Sequence, residues 1–218
     1  AYNKLDDITS FTDPVSVTTS FVRNGFGEVI RETSPDRGTS IYYYDAAGRM
    51  TASIDGRGQR VDYARDVLGR VLSKTPLGLS GQAITYSWDV PGLAGSYGVG
   101  RLSSMTDASG ITRFRYDHLG LLFMKEQSIG SGTARLTTAF NRARQISRIT
   151  YPSGRIVNYT RDTKGRVTGV TTQASATAPL VTLLSSGTYE PFGALKSANL
   201  GNGLVLEQDW DYGDRGLR

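Results

Sequence analysis

The sequence predicts an all-β fold, in which antiparallel β-hairpins follow one another as a continuous ribbon. First, a short block containing an aromatic residue, a Tyr or Arg, an Asp or Asn, and a Gly recurs about every two dozen residues, which is typical of stacked repeats. Second, turn-forming residues lie between the blocks. Third, the 218 residues include 26 Gly, and only 38% are hydrophobic, as in a turn-rich sheet that keeps one face in water.

The block is clearest in three copies. They are Tyr42, Tyr44, Asp45, Gly48 and Arg49; Tyr63, Arg65, Asp66, Gly69 and Arg70; and Tyr159, Arg161, Asp162, Gly165 and Arg166. Weaker copies contain Phe21, Asn24 and Gly27; Phe114, Tyr116, Asp117 and Gly120; and Trp210, Tyr212 and Gly216. Interrupted or decayed copies begin at Tyr86, Phe140 and Tyr189. The spacing therefore predicts a single array of about nine repeats over residues 1–218, with no internal domain boundary.

Each block is predicted to form the tip of a hairpin. Its aromatic residue and its Tyr or Arg are two positions apart, so both lie on one face of an extended chain. The Asp can accept a hydrogen bond from the backbone two residues on, and the Gly three positions later can adopt the left-handed conformation. Together they indicate a type I turn closed by a glycine bulge. Asp45 and Arg49 are expected to pair across such a turn, where an exposed ion pair contributes about 0–1 kcal/mol.

Strands are predicted on both sides of each tip. After Gly48, the segment from Arg49 to Ile54 alternates apolar and polar residues, as a half-buried strand does. Turn residues midway between the blocks predict the turns at the opposite ends of the hairpins. Those turns run from Pro35 to Gly38, Asp55 to Gly58, Pro76 to Gly78, Asp107 to Gly110, Pro152 to Gly154 and Asn199 to Gly203.

The composition argues against several kinds of site. The chain has no Cys, which excludes disulfides, thiolate catalysis and zinc-thiolate sites. His118 is the only histidine, so this chain alone cannot build a site with two His ligands or a His-based triad. Most carboxylates are the turn Asp of a block, and no pair of them is expected to face across a cleft. We predict no catalytic residue, no metal-binding residue, no cofactor and no membrane span in this segment.

The charge and the aromatic residues leave one alternative open. The net charge is +5, but the arginines are spread at one or two per repeat, so a nucleic-acid partner is not predicted. The tyrosines are expected to pack across strands. The alternative is a carbohydrate-binding or adhesive surface formed by the aromatic residues, with candidate glycan contacts at Trp88, Tyr97 and Trp210. A hydrolase would need several carboxylates converging in a pocket.

The blocks resemble the YD repeat of the Rhs (rearrangement hotspot) family. The resemblance is carried by the segments from Tyr42 to Arg49 and from Tyr159 to Arg166. The segments from Pro152 to Arg155, from Tyr189 to Gly193 and from Asn202 to Leu204 also resemble parts of bacterial Rhs cores. The resemblance implies that the ribbon curls into part of a hollow shell, related to the shells of insecticidal toxin complexes and of teneurins.

In that family the shell encloses a variable C-terminal toxin until delivery. The resemblance therefore implies a secreted or cell-surface bacterial protein, whose partners are an enclosed toxin or effector and the neighbouring repeats of the same shell. The chain is expected to be a fragment of a longer Rhs core. It lacks the DPxGL-type segment that accompanies self-cleavage in the family, so no proteolytic or toxic activity is predicted for these residues.

Overall fold

The chain is built from β-strands joined by turns. The computed structural model describes residues 1–79, 81–90 and 96–209, and this part of the chain contains eighteen strands and no helix. The predicted all-β class is thereby confirmed. Within the same residues there is no helix long and apolar enough to cross a membrane. The predicted block positions Trp210, Tyr212 and Gly216 lie outside the described residues.

The first nine strands run from residue 10 to residue 107. They are β1 (Ser10–Thr12), β2 (Thr18–Arg23), β3 (Val29–Ser34), β4 (Gly38–Tyr44), β5 (Met50–Ile54), β6 (Arg60–Arg65), β7 (Val71–Pro76), β8 (Ile84–Trp88) and β9 (Leu102–Asp107). The other nine are β10 (Gly110–Tyr116), β11 (Leu122–Ile129), β12 (Gly132–Phe140), β13 (Ile146–Thr150), β14 (Ile156–Arg161), β15 (Val167–Gln173), β16 (Val181–Tyr189), β17 (Leu195–Leu200) and β18 (Val205–Glu207).

The strands fall into two compact units, each with the same simple topology. The first unit comprises residues 1–88 and 102–111, and in it β1 to β9 pair antiparallel, each with the next strand along the chain. The second comprises residues 89–101 and 112–218, and in it β11 to β18 pair in the same way. The predicted succession of antiparallel hairpins is confirmed within each unit. That the whole chain acts as one array stays a prediction.

The apolar core is very small. Ala52, Ile156 and Ala198 are the buried hydrophobic residues in the described part of the chain, where no large side chain is fully buried. Large apolar side chains such as Phe26 and Val67 are more than nine-tenths exposed. Hydrophobic burial therefore contributes less than in a typical domain of this length. The contacts between neighbouring strands and turns must supply a larger share of the stability.

A β-bulge recurs just before the block turns. The pairing of β4 with β5 shifts register between Tyr43 and Tyr44, so that Tyr44 faces Met50. Equivalent shifts precede the corresponding turns in β2, β6, β8, β12, β14 and β16. A bulge bends the strand and redirects its side chains. It thereby re-aims the residue that stands immediately before the turn Asp or Asn.

Candidate functional site

The repeated feature with the most side-chain chemistry is the block turn, which we call the repeat tip: the segment from the turn Asp or Asn to the Gly three positions later. In the tip that starts at Asp45, the Asp45 Oδ1 accepts hydrogen bonds from the backbone N–H of Ala47 (2.9 Å) and of Arg49 (3.0 Å). The Gly48 N–H donates to the Asp45 carbonyl (3.0 Å), and Gly48 has a φ of 74°. The predicted Asp-Gly turn is therefore confirmed.

Other tips follow the same pattern with Asp or Asn in first place. Side-chain oxygens of Asn24, Asp117, Asn141 and Asp162 each accept from the N–H groups two and four residues on. An amide oxygen thus serves as well as a carboxylate, since only an acceptor is needed. The last described tip begins at Glu190, which is buried and lies 3.2 Å from the Lys196 amine.

One further tip, at Asn3, was not predicted from the sequence. Asn3 Oδ1 accepts from the backbone N–H of Leu5 (2.8 Å) and of Asp7 (2.9 Å), and Asp6 takes the glycine's place with a φ of 61°. Arg144 does the same in the Asn141 tip, with a φ of 62°. Without a Gly, the usual signal is absent. An aromatic residue directly before the Asn, as in Tyr2-Asn3, is the remaining clue.

The residue directly after each tip, which we call the bridge residue, pairs with its own tip in the three clearest copies. The guanidinium Nε of Arg49, Arg70 and Arg166 donates to the Oδ2 of Asp45, Asp66 and Asp162 at 2.8, 2.7 and 2.7 Å. The backbone N–H of Arg49 lowers the pKa of Asp45 from its ordinary value, and the guanidinium adds to this against an opposing effect of desolvation. The pKa of Asp162 is lowered in the same way by Arg166.

The bridge residues also reach the following tip. The Cδ of Arg49 lies so close to Gly69 that a β-carbon there would stand 3.2 Å from it. A β-carbon on Gly48 would stand 2.7 Å from the Glu28 carboxylate, and one on Gly120 would overlap Arg101. Each of these glycines therefore serves two purposes: it permits a positive φ, and it leaves room for the bridge residue of the preceding tip. Only the positive φ could be predicted from the sequence.

Three bridge arginines stack on an aromatic ring of the next repeat. The guanidinium of Arg70 lies 5.1 Å from the ring centre of Trp88, and that of Arg166 lies 4.8 Å from that of Tyr189. Arg101 stands 5.6 Å from the Tyr116 ring. Each contact is a cation–π interaction, worth about 0.5–1 kcal/mol where it is exposed.

The residue directly before each tip, which we call the anchor residue, hydrogen-bonds back to the preceding repeat at several tips. Tyr44 Oη donates to the Val29 carbonyl (2.9 Å), Arg65 Nε to that of Met50 (3.0 Å) and Trp88 Nε1 to that of Val71 (2.9 Å). Arg23, Arg161 and Tyr189 make equivalent bonds to the carbonyls of Ile8, Ile146 and Val167. In each case the acceptor belongs to the second residue after the preceding tip.

This common acceptor explains why the block alternates between Tyr and Arg at the anchor position. Phenol, guanidinium and indole each carry a donor on a long planar group, and each can reach the same carbonyl. The arginine anchors make one more bond, since Arg65 and Arg161 also donate to the carbonyls of Gly69 and Gly165 at 2.9 Å. Tyr116 also occupies an anchor position, where it stacks with Arg101.

The tyrosines that open the clear copies lie further from the tips. Tyr42 Oη donates to Glu32 at 3.2 Å, and burial raises the pKa of Tyr42. The Tyr63 hydroxyl lies 3.3 Å from that of Ser53, and Tyr159 pairs with Val170 across strands. These contacts join neighbouring strands.

The three candidate glycan contacts have different surroundings. The Trp88 indole donates to the Val71 carbonyl and lies under the Arg70 guanidinium. Tyr97 is 59% exposed, and its ring lies 6.2 Å from that of His118, edge to face. Trp210 lies outside the described residues.

The tip carboxylates have turn-stabilising surroundings. In the described residues there is no group of three or more His, Cys, Asp or Glu side chains placed to hold a metal ion. The pKa values of Asp45 and Asp162 are lowered, which keeps these groups ionised as acceptors rather than ready to transfer protons near neutral pH. The arrangement is therefore suited to holding one repeat against the next.

Comparison with known proteins gives one match from sequence and several from structure. The family model described as RHS Repeat matches residues 44–80, which begin at the anchor Tyr44. No curated protein sequence matches the chain.

Several solved structures have a similar fold. The crystal structure of TcdB2-TccC3 matches all of the chain with a TM-score of 0.89 at 15% identity, over 12% of its own length. The Photorhabdus luminescens Tc holotoxin pore matches all of it with a TM-score of 0.86 at 15% identity, over 12% of its length. TcdB2-TccC3 without its hypervariable C-terminal region matches 91% of the chain with a TM-score of 0.82 at 15% identity, over 11% of its length. The chain therefore spans about an eighth of these proteins, and the likeness establishes a shared fold.

Proposed function

We propose that this chain, a segment of the Rhs-repeat family, forms part of the wall of a protein shell. The family prediction itself is confirmed by the RHS repeat at residues 44–80 and by the shared fold. The observation that carries the shell proposal is the use of the side chains at the repeat tips. Anchor and bridge residues make their hydrogen bonds and ring contacts with the neighbouring repeat, as the parts of a wall would.

We further propose that the shell encloses a toxin or effector polypeptide and helps to deliver it. Support comes from the fold shared with TcdB2-TccC3, a protein that has a hypervariable C-terminal region. The partners of this segment would be the enclosed polypeptide and the adjacent repeats, and the protein would be secreted or displayed on a bacterial surface. The segment would contribute no catalytic group of its own. The chain as a whole would act as one array of repeats.

Protease protection tests the enclosure. In the full-length protein, a specific protease site is placed in the polypeptide proposed to be enclosed, downstream of the shell. In a second variant the same site is placed at Asn202, in the exposed turn before β18. We expect the Asn202 site to be cut in the native protein, whereas the downstream site is cut only after mild unfolding. Equal cutting of both sites in the native state would contradict enclosure.

A glycan-binding surface remains a second candidate, and the exposure of Tyr97 is the observation that favours it. Exposed aromatic rings can stack on sugars, whereas the indole of Trp88 is already covered by Arg70. Saturable binding of a glycan that is lost on Tyr97→Ala, but kept on Tyr43→Ala, would support this function. Unchanged binding by both variants would contradict it.

A further inference from the structure

In the described part of the second unit, one step between neighbouring tips lacks both the usual bridge side chain and the usual anchor side chain. Between the tip that starts at Asp117 and the tip that starts at Asn141, the bridge position holds Leu121 and the anchor position holds Phe140. Neither side chain carries a hydrogen-bond donor, and neither can form the ion pair or the backbone contact made elsewhere. The ion pair within the tip and the anchor's bond to the preceding repeat are therefore both missing from this step.

A cleft lies at this step. It is open, has a volume of about 500 Å³, and is lined by Asp117, Leu119, Leu121, Phe123, Phe140 and Arg142, among others. At other steps the equivalent space contains an arginine, such as Arg49 or Arg101, against the next tip's glycine. The shorter side chain of Leu121 leaves this space unfilled.

Asp117 lacks the ionic partner of its counterparts. Asp45, Asp66 and Asp162 each pair with the arginine four residues on, but at Asp117 that position is Leu121. Asp117 Oδ1 accepts hydrogen bonds from the backbone N–H groups of Leu119 and Leu121, both at 2.9 Å, as in the other tips. In the described residues no cation pairs with its carboxylate. The cleft thus combines apolar side chains, and polar ones at His118, Thr138 and Asn141, with a carboxylate that lacks the arginine found at the equivalent tips.

We propose that this cleft binds an arginine side chain presented by a partner polypeptide. The aliphatic part of the arginine would lie against Leu121 and Phe140, and its guanidinium would pair with Asp117. The charges and shapes match those of the internal contact between Arg166, Asp162 and Tyr189, where one arginine pairs with a carboxylate and stacks on a ring. Arg142 also lines the cleft, and its side chain is exposed, so it is free to turn outward or meet an acidic neighbour of the arginine.

The inference does not depend on the shell function, because it rests on the contacts of one step. The probe is a short capped peptide, acetyl-Leu-Arg-Leu-amide, added to the chain with isotope-labelled leucine methyl groups. A matched peptide carries citrulline, which keeps the shape of arginine but not its charge, and a third carries glutamate. We expect the arginine peptide to shift the methyl signals of Leu119 and Leu121, and the citrulline peptide to bind about fivefold more weakly.

Two variants of the chain complete the test. Asp117→Asn keeps the turn, because Asn24 and Asn141 form the same backbone bonds, and it should weaken arginine binding to the level of citrulline. Leu121→Arg supplies the missing side chain from within and should abolish binding of all three peptides. Asp107→Asn, in a turn of the first unit, is the matched control and should change nothing.

The proposal is overturned by equal binding of arginine and citrulline peptides, by tighter binding of the glutamate peptide, or by no methyl shift at millimolar peptide. A concentration-dependent dimer that Leu121→Arg abolishes would identify a second copy of this chain as the occupant, and would also overturn it.

Discussion

Replacing the anchor residue Tyr44 tests whether the anchor contacts hold the repeats together. In Tyr44→Phe the ring is kept, but the hydrogen bond from the hydroxyl to the Val29 carbonyl is lost. Such a bond contributes about 0.5–1.5 kcal/mol. Because both residues are only half-buried and water can reach the carbonyl, we expect a loss of about 1 kcal/mol in the free energy of unfolding.

Two matched variants make the test specific. Tyr43→Phe, one residue earlier, removes a hydroxyl that has no hydrogen-bond partner among the described residues. Because Tyr43 is 43% exposed, this change should leave the free energy of unfolding close to that of the wild type. Tyr44→Arg introduces the side chain that serves as anchor at Arg65, and it should keep most of the stability that Phe loses.

The assay is thermal unfolding followed by circular dichroism, with urea unfolding as a second measure. For a chain of this length, 1 kcal/mol corresponds to about 2–4 °C in Tm. The anchor account predicts the order wild type, then Tyr44→Arg, then Tyr44→Phe, with Tyr43→Phe close to wild type. It is refuted if Tyr44→Phe matches Tyr43→Phe, or if Tyr44→Arg is the least stable variant.

Three further outcomes are expected. In urea unfolding, Gly56→Ala should lower the free energy of unfolding more than Gly58→Ala does. A β-carbon at Gly56 would overlap the rigid Arg37 carbonyl, whereas at Gly58, which has a φ of 82°, nothing stands within 4 Å of the added carbon. Equal losses in the two variants would contradict this. Stability should fall on acidification, because folding lowers the pKa values of Asp45 and Asp162. The stability that these two groups contribute is present above the ordinary pKa of 3.8 and is lost as the pH falls through their pKa values in the folded protein. Asp162→Asn should therefore flatten a plot of the free energy of unfolding against pH. Leu121→Arg should raise the free energy of unfolding by up to about 1 kcal/mol, and the Tm with it, because it restores the missing pair with Asp117; a lower Tm would show that the cleft cannot accept the side chain.

Turn chemistry could be predicted from the sequence because it is local. The bonds from Asp45 to Ala47 and Arg49, and the positive φ of Gly48, involve residues within four positions of one another. The same locality allowed the pair between Asp45 and Arg49 to be expected in advance. The antiparallel topology then followed from the order of the turns.

The contacts between repeats could not be predicted in this way. The bond from Tyr44 to Val29 joins residues fifteen positions apart, and the bulge between Tyr43 and Tyr44 re-aims the anchor side chain. The double use of Gly69 depends on the position of Arg49 in the preceding tip. The special step at Leu121 and Phe140 becomes visible only once the ordinary bridge and anchor contacts are known.

The expected behaviour of the isolated segment follows from the same contacts. Its terminal strands would lack the anchor and bridge partners that neighbouring repeats provide, and exposed strand edges tend to pair. We therefore predict that the 218-residue chain alone is marginally stable or self-associates through its end strands. A stable monomer whose mass in sedimentation does not change with concentration would contradict this prediction.

Electron cryo-microscopy of the full-length protein is the most direct test of the shell function. The proposal predicts that the hairpins of this segment form part of a closed wall, with density for a second stretch of polypeptide on one face of the sheet only. A structure in which both faces of the hairpins are open to solvent, with no enclosed polypeptide, would contradict the proposal.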